Sequence, residues 1–389
     1  MKHNGPTHFP RIGILGGGQL AKMTAAAATR LGCDVVILDN RHDLSAYGPG
    51  LRFAEGHWND PATLRELADG LDVIALENEF VDPLSLRRLE ELGHHVCPSS
   101  TTLSLVQDKL LQKELFADAG LPVVDFADAP TREAVSEHGL PAVLKSRRNS
   151  YDGRGNATVL DPSGLERGWR TLDGDRNPLY VESLCPFERE LAIIVTRARD
   201  GSSVVYPVVE TTNHDHICHL VQAPADVSAL VAREVAAMAT RAVAAIDGVG
   251  SFGLEFFLLK DGTVLLNEIA PRVHNTGHYT IEACECSQFE NHVRALLGWP
   301  LGSPSMVVAA AAMVNLLGSG EGSGVPLGIE EALTVDGASL HVYGKSTSRR
   351  GRKMGHVTAL GEDLATATER ASRAAAHIRF GSERSGSER

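Results

Sequence analysis

RIGILGGGQLAKMTAAAATRLGCDVVILD, residues 11–39, reads as a strand, a glycine turn, a helix and a second strand. An apolar run from Arg11 to Leu15 ends at Gly16-Gly17-Gly18, residues 19–31 carry helical periodicity, and a second apolar run at 34–38 is closed by Asp39. Similar alternation at 72–76 and 95–97 predicts a parallel-sheet α/β unit over roughly the first hundred residues. The run from Gly16 to Ala21 fits the GxGxxA form of the dinucleotide-binding turn, with Asp39 where a ribose acceptor would lie. Glycines there let backbone N–H groups at a helix N-terminus approach an anion, which suits any phosphate. A plain tight turn between strand and helix uses the same residues.

Outward from this unit the pattern changes. Past Pro98-Ser99-Ser100, residues 101–119 read as one helix, 142–145 and 157–160 as strands, and 147–156 as a polar, glycine-containing, mobile loop between them. Residues 179–209 are strand-rich, 227–246 form an alanine-rich amphipathic helix, and 251–266 form a hairpin turning at Lys260-Asp261-Gly262. Strands at 339–343 and 356–360 flank a basic turn. The Ser/Glu/Arg tail at 381–389 has nothing to bury and is expected to be disordered.

At 389 residues the chain is two to three times a typical domain of about 100–200 residues, so several domains are expected. With 43% hydrophobic and 22% charged residues and a mean hydropathy of −0.08, it reads as soluble and globular, not disordered, collagenous or coiled-coil. Lys+Arg 37 against Asp+Glu 49 gives a net charge of −12. That balance argues against nucleic-acid or anionic-membrane partners, and any phosphate must be met by local positive charge. The longest apolar stretch, 306–314, is about half a membrane span, and residues 1–10 lack an apolar signal core, so a cytoplasmic location is expected. Six cysteines without a CxxC pair predict reduced, structural thiols.

Chemistry concentrates in carboxylates and lysines. Glu255 and Glu268 end the facing apolar halves of the hairpin, in a register that puts both at one mouth of the sheet. Such a pair can bridge Mg²⁺ together with nucleotide phosphates. Strand-end carboxylates are commonly just solvated, but here Asn267, Arg272, His274, Asn275 and His278 crowd the same segment. Lys109 opens the helix after the 98–100 break. Lys145 ends the strand before Ser150-Tyr151-Asp152-Gly153-Arg154-Gly155-Asn156, a loop that can close over a triphosphate. GxxxxGK[ST] is absent, which excludes a P-loop. His214, His216 and His219 spell HxHxxH without a closing carboxylate or cysteine pattern, so solvated histidines are favoured over a metal site. Cys284 and Cys286 are expected inside a helix at 281–289.

Taken in order, Gly16-Gly17-Gly18-Gln19-Leu20, Gln107-Asp108-Lys109, Lys145 with Tyr151-Asp152-Gly153-Arg154-Gly155, Phe187-Glu188-Arg189-Glu190, Asn267-Glu268-Ile269-Ala270-Pro271-Arg272 and His274-Asn275-Thr276-Gly277-His278 resemble the N5-carboxyaminoimidazole ribonucleotide synthases, ATP-grasp carboxylases of purine synthesis. Residues 313–318 and 351–356 extend the resemblance, which covers about 11–365. It implies a mixed α/β and α+β chain: a biotin-carboxylase-like parallel-sheet domain at 11–100, an ATP-grasp domain at 101–300 with a mobile lid subdomain at about 125–185, and a small C-terminal β domain at 301–380. It further implies a carbon–nitrogen ligase, commonly homodimeric, using ATP and Mg²⁺ without biotin. Bicarbonate would attack the γ-phosphate to give carboxyphosphate, and the exocyclic amine of 5-aminoimidazole ribonucleotide would capture the carboxyl group.

The implied roles run position by position. Lys109, Lys145, Glu190, Asn213, His214, Asn267 and Glu268 fall among the nucleotide contacts, with Ser150, Tyr151, Asp152, Gly153, Arg154, Gly155 and Asn156 as the lid and Glu182, Ser183, Leu184 and Cys185 as the adenine-side strand. Glu255 and Glu268 match the magnesium ligands. Arg272, His274 and Asn275 lie where bicarbonate and carboxyphosphate gather, and Gln19, Glu77, Tyr151, Lys345 and Arg352 where the ribonucleotide is held. Departures leave one alternative open, a related ligase with a different amine or acyl substrate. The family's histidine position holds Asn213, two glycines before the tyrosine are replaced by Asn149-Ser150, Arg350 stands for a proline, and Leu76-Glu77-Asn78-Glu79-Phe80 keeps both carboxylates with exchanged neighbours. A nucleotide-binding oxidoreductase would rest on the glycine turn alone, and it has no use for the two lysines and two glutamates.

Overall fold

Strand Arg11–Leu15 pairs in parallel with Asp34–Asp39 on one side and Val73–Leu76 on the other, building the first layer around the quoted stretch. Arg52–Glu55 and Val96–Cys97 complete a five-stranded parallel sheet at its two edges. The edge strand Arg52–Glu55 carries no apolar run and so left no strand signal. The computed structural model describes residues 8–40, 45–46, 51–149 and 154–381. The 382–389 part of the tail expected to be disordered lies outside these residues, whereas Gly381 donates its N–H to the Ser323 carbonyl.

Helix Gln19–Arg30 turns Ala21, Ala25 and Ala28 into the sheet, where Ile12, Ile14, Val35 and Ile37 receive them. Val293 and Leu296, from the distant helix Gln288–Leu297, enter the same core. The first layer and the central domain therefore share one apolar interior, and Arg30 bonds Glu290 across its rim at 2.6 Å.

A four-stranded antiparallel sheet, in the order Phe126–Asp128, Leu179–Ser183, Ala142–Ser146, Asn156–Val159, follows. It lies against a nine-stranded sheet whose path runs Val264–Ala270, Gly250–Leu258, Arg189–Arg197, Val209–His214, Ile217–Ala223, Ala310–Leu317, Lys353–Gly361, Ala338–Val342, with Ser203–Val205 paired to Arg189–Arg197. Helix Ala229–Ala245 covers the first part of this sheet, burying Val235, Met238, Ala242 and Val243 against Phe252, Leu254 and Phe256. Each of these side chains larger than alanine contributes about 1.5–3 kcal/mol by leaving water. The C-terminal strands extend the central sheet through the pairing of Ile217–Ala223 with Ala310–Leu317, and helix Leu364–His377 caps that extension.

Two helix expectations change. Residues 101–119 divide into Ser100–Gln107 and Lys109–Asp118, because Asp108 takes an extended backbone and its carboxylate caps the N–H groups of Leu110 and Leu111. Cys284 and Cys286 lie between helices Thr280–Ala283 and Gln288–Leu297, where Ser287 caps a new helix start. Both thiols are buried and unpaired.

Candidate active site

Helix Lys109–Asp118 is the hub where the two antiparallel sheets meet. Lys109 and Lys113, one turn apart, share a face of it. Lys109 Nζ donates to Glu268 Oε2 at 3.0 Å on the large sheet, and Lys113 Nζ lies 3.0 Å from Glu182 Oε1 on the small one. Lys145 Nζ takes the other Glu182 oxygen at 2.6 Å. Burial would raise the Glu182 carboxyl, but Lys145 and Lys113 hold it down to about 2. Nothing in the sequence marked Lys113; the only trace is a second lysine four positions after Lys109.

Glu255 and Glu268 are directly opposed in the antiparallel register, beside a bulge. Burial, the Glu268 charge and the Glu190 charge push Glu255 upward, whereas Lys109 outweighs the burial of Glu268 and draws it down. Among the described residues no group of three or more His, Cys, Asp or Glu could hold a metal ion. A mutually repelling carboxylate pair still fits Mg²⁺, which takes one or two carboxylates and completes its shell with phosphate oxygens and water.

Arg272 leaves the end of strand Val264–Ala270 and meets Glu79 from the first domain in a two-pronged pair, with Nε at 2.6 Å and Nη2 at 3.1 Å. Burial works against the Glu79 charge, yet Arg272 and then Lys109 hold it down to about 2. His274 Nε2 stands 3.8 Å from Glu255 Oε1 and its Nδ1 is 2.9 Å from Thr276 Oγ1. Gln288 clamps the His274 backbone, accepting from its N–H at 2.9 Å and donating to its carbonyl at 2.7 Å. Burial first, then Arg272, lowers the imidazole to about 3, so it is neutral at physiological pH. Asn275 faces away into a reciprocal amide pair with Asn315, at 2.9 and 2.6 Å.

Other expected residues spread around this centre. Asn213 donates its amide to the Glu190 carboxylate, while burial raises Glu190. The His214 and His219 rings sit 5.1 Å apart, and no metal cluster forms there among the described residues. Ser183 bonds His138 at 3.2 Å, Leu184 N–H donates to the Pro141 carbonyl, and Cys185 is half-buried. Of the expected lid, Ser150, Tyr151, Asp152 and Gly153 lie outside the described residues. Arg154 and Gly155 follow, and Gly155 accepts from Ser146 N–H at 2.7 Å ahead of Asn156, which opens strand Asn156–Val159. Arg147 grips Asp108 in a two-pronged pair at 2.8–3.2 Å, fixing the near end of that loop to the hub helix. A cleft of about 190 Å³ opens here, lined by Glu79, Gln107, Lys109, Arg148, Asn149 and Ile269.

At the glycine turn, Asp39 is not presented to a ligand's ribose. Asp39 is wholly buried and accepts from Gly17 N–H at 2.7 Å, which spends the expected acceptor on the turn itself. A Cβ at Gly18 would sit 2.0 Å from Glu77 Oε1, so the glycine makes room for that carboxylate at the start of the Gln19 helix. One turn on, Lys22 donates to the Val342 and Tyr343 carbonyls at 3.1 and 3.3 Å, which fastens the Gln19 helix to the segment that leads into Lys345. Lys345 donates to the Lys353 carbonyl at 2.6 Å, and Arg352 bonds the Thr347 carbonyl and hydroxyl at 2.6 and 2.8 Å.

Comparison with known proteins agrees with this architecture. Residues 9–107 match a ribonucleotide synthetase preATP-grasp domain, 114–289 an ATP-grasp domain, and 311–370 a phosphoribosylaminoimidazole carboxylase C-terminal domain. The N5-carboxyaminoimidazole ribonucleotide synthase of Synechococcus elongatus is 40% identical over 93% of this chain and 92% of its own length. The chain belongs to the N5-carboxyaminoimidazole ribonucleotide synthase family. The synthetase crystal structure from Thermotoga maritima superposes with a TM-score of 0.87 at 39% identity, covering 96% of this chain and 100% of that one. A synthase from Aspergillus clavatus, solved with ADP and 5-aminoimidazole ribonucleotide, gives 0.84 at 34% identity, over 93% and 96%. The phosphoribosylaminoimidazole carboxylase of Ogataea methanolica is 43% identical over 91% of this chain, and the chain spans about two thirds of such fungal carboxylases. Family membership fixes the fold as ATP-grasp with an N-terminal parallel-sheet domain, and the enzyme class as an ATP-grasp ligase. Among the described residues no helix is long and apolar enough to cross a membrane.

Proposed function

We propose that this chain carboxylates the exocyclic amine of 5-aminoimidazole ribonucleotide, using ATP and bicarbonate, to give the N5-carbamate in purine biosynthesis. The observation that carries this reading is the facing of Lys109–Glu268 and Glu255 on one sheet with Lys145–Glu182 on the other, next to Arg272 and His274. Lys109 and Lys145 bind the nucleotide phosphates, the 183–185 backbone meets the adenine, and Glu190 with Asn213 meets the ribose side. The Ser150 to Asn156 loop covers the phosphates, and the four-stranded sheet moves with it as the lid at about 125–185. Asn213 holds Glu190, so the substitution there falls on the nucleotide side, away from the amine. Glu255 and Glu268 would hold Mg²⁺, which when bound supplies positive charge to the phosphate oxygens.

Arg272, oriented by Glu79, holds bicarbonate, and neutral His274 offers the reactants a hydrogen bond without adding charge. Asn275 fixes that loop through Asn315. Enclosure keeps water from carboxyphosphate until the amine attacks its carboxyl carbon and phosphate leaves. Gln19, Glu77, Tyr151, Lys345 and Arg352 hold the ribonucleotide, the last two at its 5′-phosphate. The six cysteines, which form no disulfide among the described residues, and small polar substrates support a cytoplasmic location. The homodimer rests on the family resemblance and is checked by light scattering. The deciding experiment is phosphate release from MgATP and bicarbonate, with and without aminoimidazole ribonucleotide. Strong stimulation by the ribonucleotide is expected, and Glu255→Gln or Glu268→Gln should lose at least about a hundredfold in kcat with the fold intact. Stimulation only by other amines would replace the substrate.

A further inference from the structure

Lys113 is a lysine with no route to the cleft: its side chain is 2% exposed, and Glu182, its partner, is 3% exposed. An ammonium in such a place is costly to keep, and a hydrophobic residue of similar length would fill the same space. Its contacts are Glu182 Oε1 at 3.0 Å and the Leu266 carbonyl at 3.4 Å. The second Glu182 oxygen belongs to Lys145, whose side chain, unlike that of Lys113, keeps 15% of its surface exposed. On the opposite wall Lys109 is matched by Glu268, and Glu255 and Glu190 add negative charge. Positive charge for a polyphosphate must therefore come from the small-sheet side.

We propose that Lys113 is a positioning residue for the nucleotide: by sharing the Glu182 carboxylate it prevents Glu182 from neutralising Lys145, leaving one net positive charge aimed at the phosphates. This rests on the reading of Lys145 as a phosphate ligand. One carboxylate between two ammoniums leaves a surplus charge of +1. With Lys113 gone, Lys145 and Glu182 would close into a neutral pair, and the cleft would keep its shape while losing its attraction for phosphate. Lys113 also repels Lys145 and is itself lowered, first by burial.

The test measures MgADP and adenosine binding by calorimetry in wild type, Lys113→Met and Lys113→Met/Glu182→Gln. The readout is the ratio of the two affinities, which a packing defect would not move. Lys113→Met should weaken MgADP about tenfold, as expected for one unit charge removed near the ligand, and leave adenosine unchanged. The double variant deletes one charge of each sign, restores a lone ammonium at Lys145, and should recover the MgADP-to-adenosine ratio of wild type. An unchanged ratio in Lys113→Met, or no recovery in the double variant, overturns the proposal. Failure of the wild-type chain to bind MgADP would overturn the nucleotide reading as well.

Discussion

The Glu79–Arg272 pair ties the first domain to the reacting loop, and its reach is set by two side chains alone. The sequence displays Glu77-Asn78-Glu79, and only Glu77 was expected in the site, because nothing along the chain shows that Arg272 comes to meet Glu79. Replacing Glu79 by Gln keeps the shape and removes the charge that holds the guanidinium, at a cost of about 1–3 kcal/mol. The bicarbonate KM should rise, with little change in the KM for ATP. The pH response has a definite sign. Glu79 is held near 2 against an ordinary value of 4.5, so the pair's contribution to stability is complete above about 4.5 and is lost as pH falls towards 2. Melting temperatures of wild type and Glu79→Gln should converge over that window, and parallel curves would show that the pair carries no such charge coupling.

At the scale of elements, the hairpin was legible because strand periodicity and the Lys260-Asp261-Gly262 turn mark it. The turn's register alone would oppose Glu255 to Asn267, and it is the bulge between Glu255 and Phe256 that sets Glu255 against Glu268. The helix break at Asp108 was not legible, since 101–119 is apolar at helical spacing throughout. Asp108 is committed to Arg147, a residue 39 positions away in the chain, and that contact sets the second helix and its two lysines. Strand Gly250–Leu258 also sets His274. A Cβ at Gly253 would lie 2.3 Å from the His274 Cβ and 2.4 Å from its Cγ, so the strand needs glycine there for the loop to pass. Gly253→Ala should displace the imidazole, costing about 1–3 kcal/mol of stability and at least about tenfold in kcat. Steady-state kinetics with a melting curve checks this, and an unchanged kcat would mean that His274 placement does not limit turnover.

Across the whole molecule, four imidazoles among the described residues are neutral, with His278, His292 and His356 buried and His274 16% exposed. Burial lowers His274 to about 3 and His292 to about 4, and drives His278 and His356 well below the ordinary 6.5. Their surroundings demand the neutral form: His292 Nδ1 accepts from Ser251 N–H at 2.9 Å, and His356 Nδ1 is 3.1 Å from the Tyr343 hydroxyl. Sequence position could not reveal this, since these histidines come from helix, loop and strand segments that meet only in the fold. Because the folded values lie below the unfolded one, the unfolded chain binds more protons, and stability must fall as pH drops below about 6.5. At pH 6 an unfolded histidine is about three-quarters protonated, so unfolding takes up about three protons at these four sites. Glu255 acts in the opposite sense: pushed upward in the fold, it releases about one proton when it returns to water. The expected net is an uptake of about two protons per molecule, measured from calorimetric unfolding in buffers of different ionisation enthalpy. His356→Phe should reduce the uptake by about three-quarters of a proton. Net proton release at pH 6 would mean that the buried imidazoles are charged in the fold, and with them the neutral His274 required at the reacting centre would be lost.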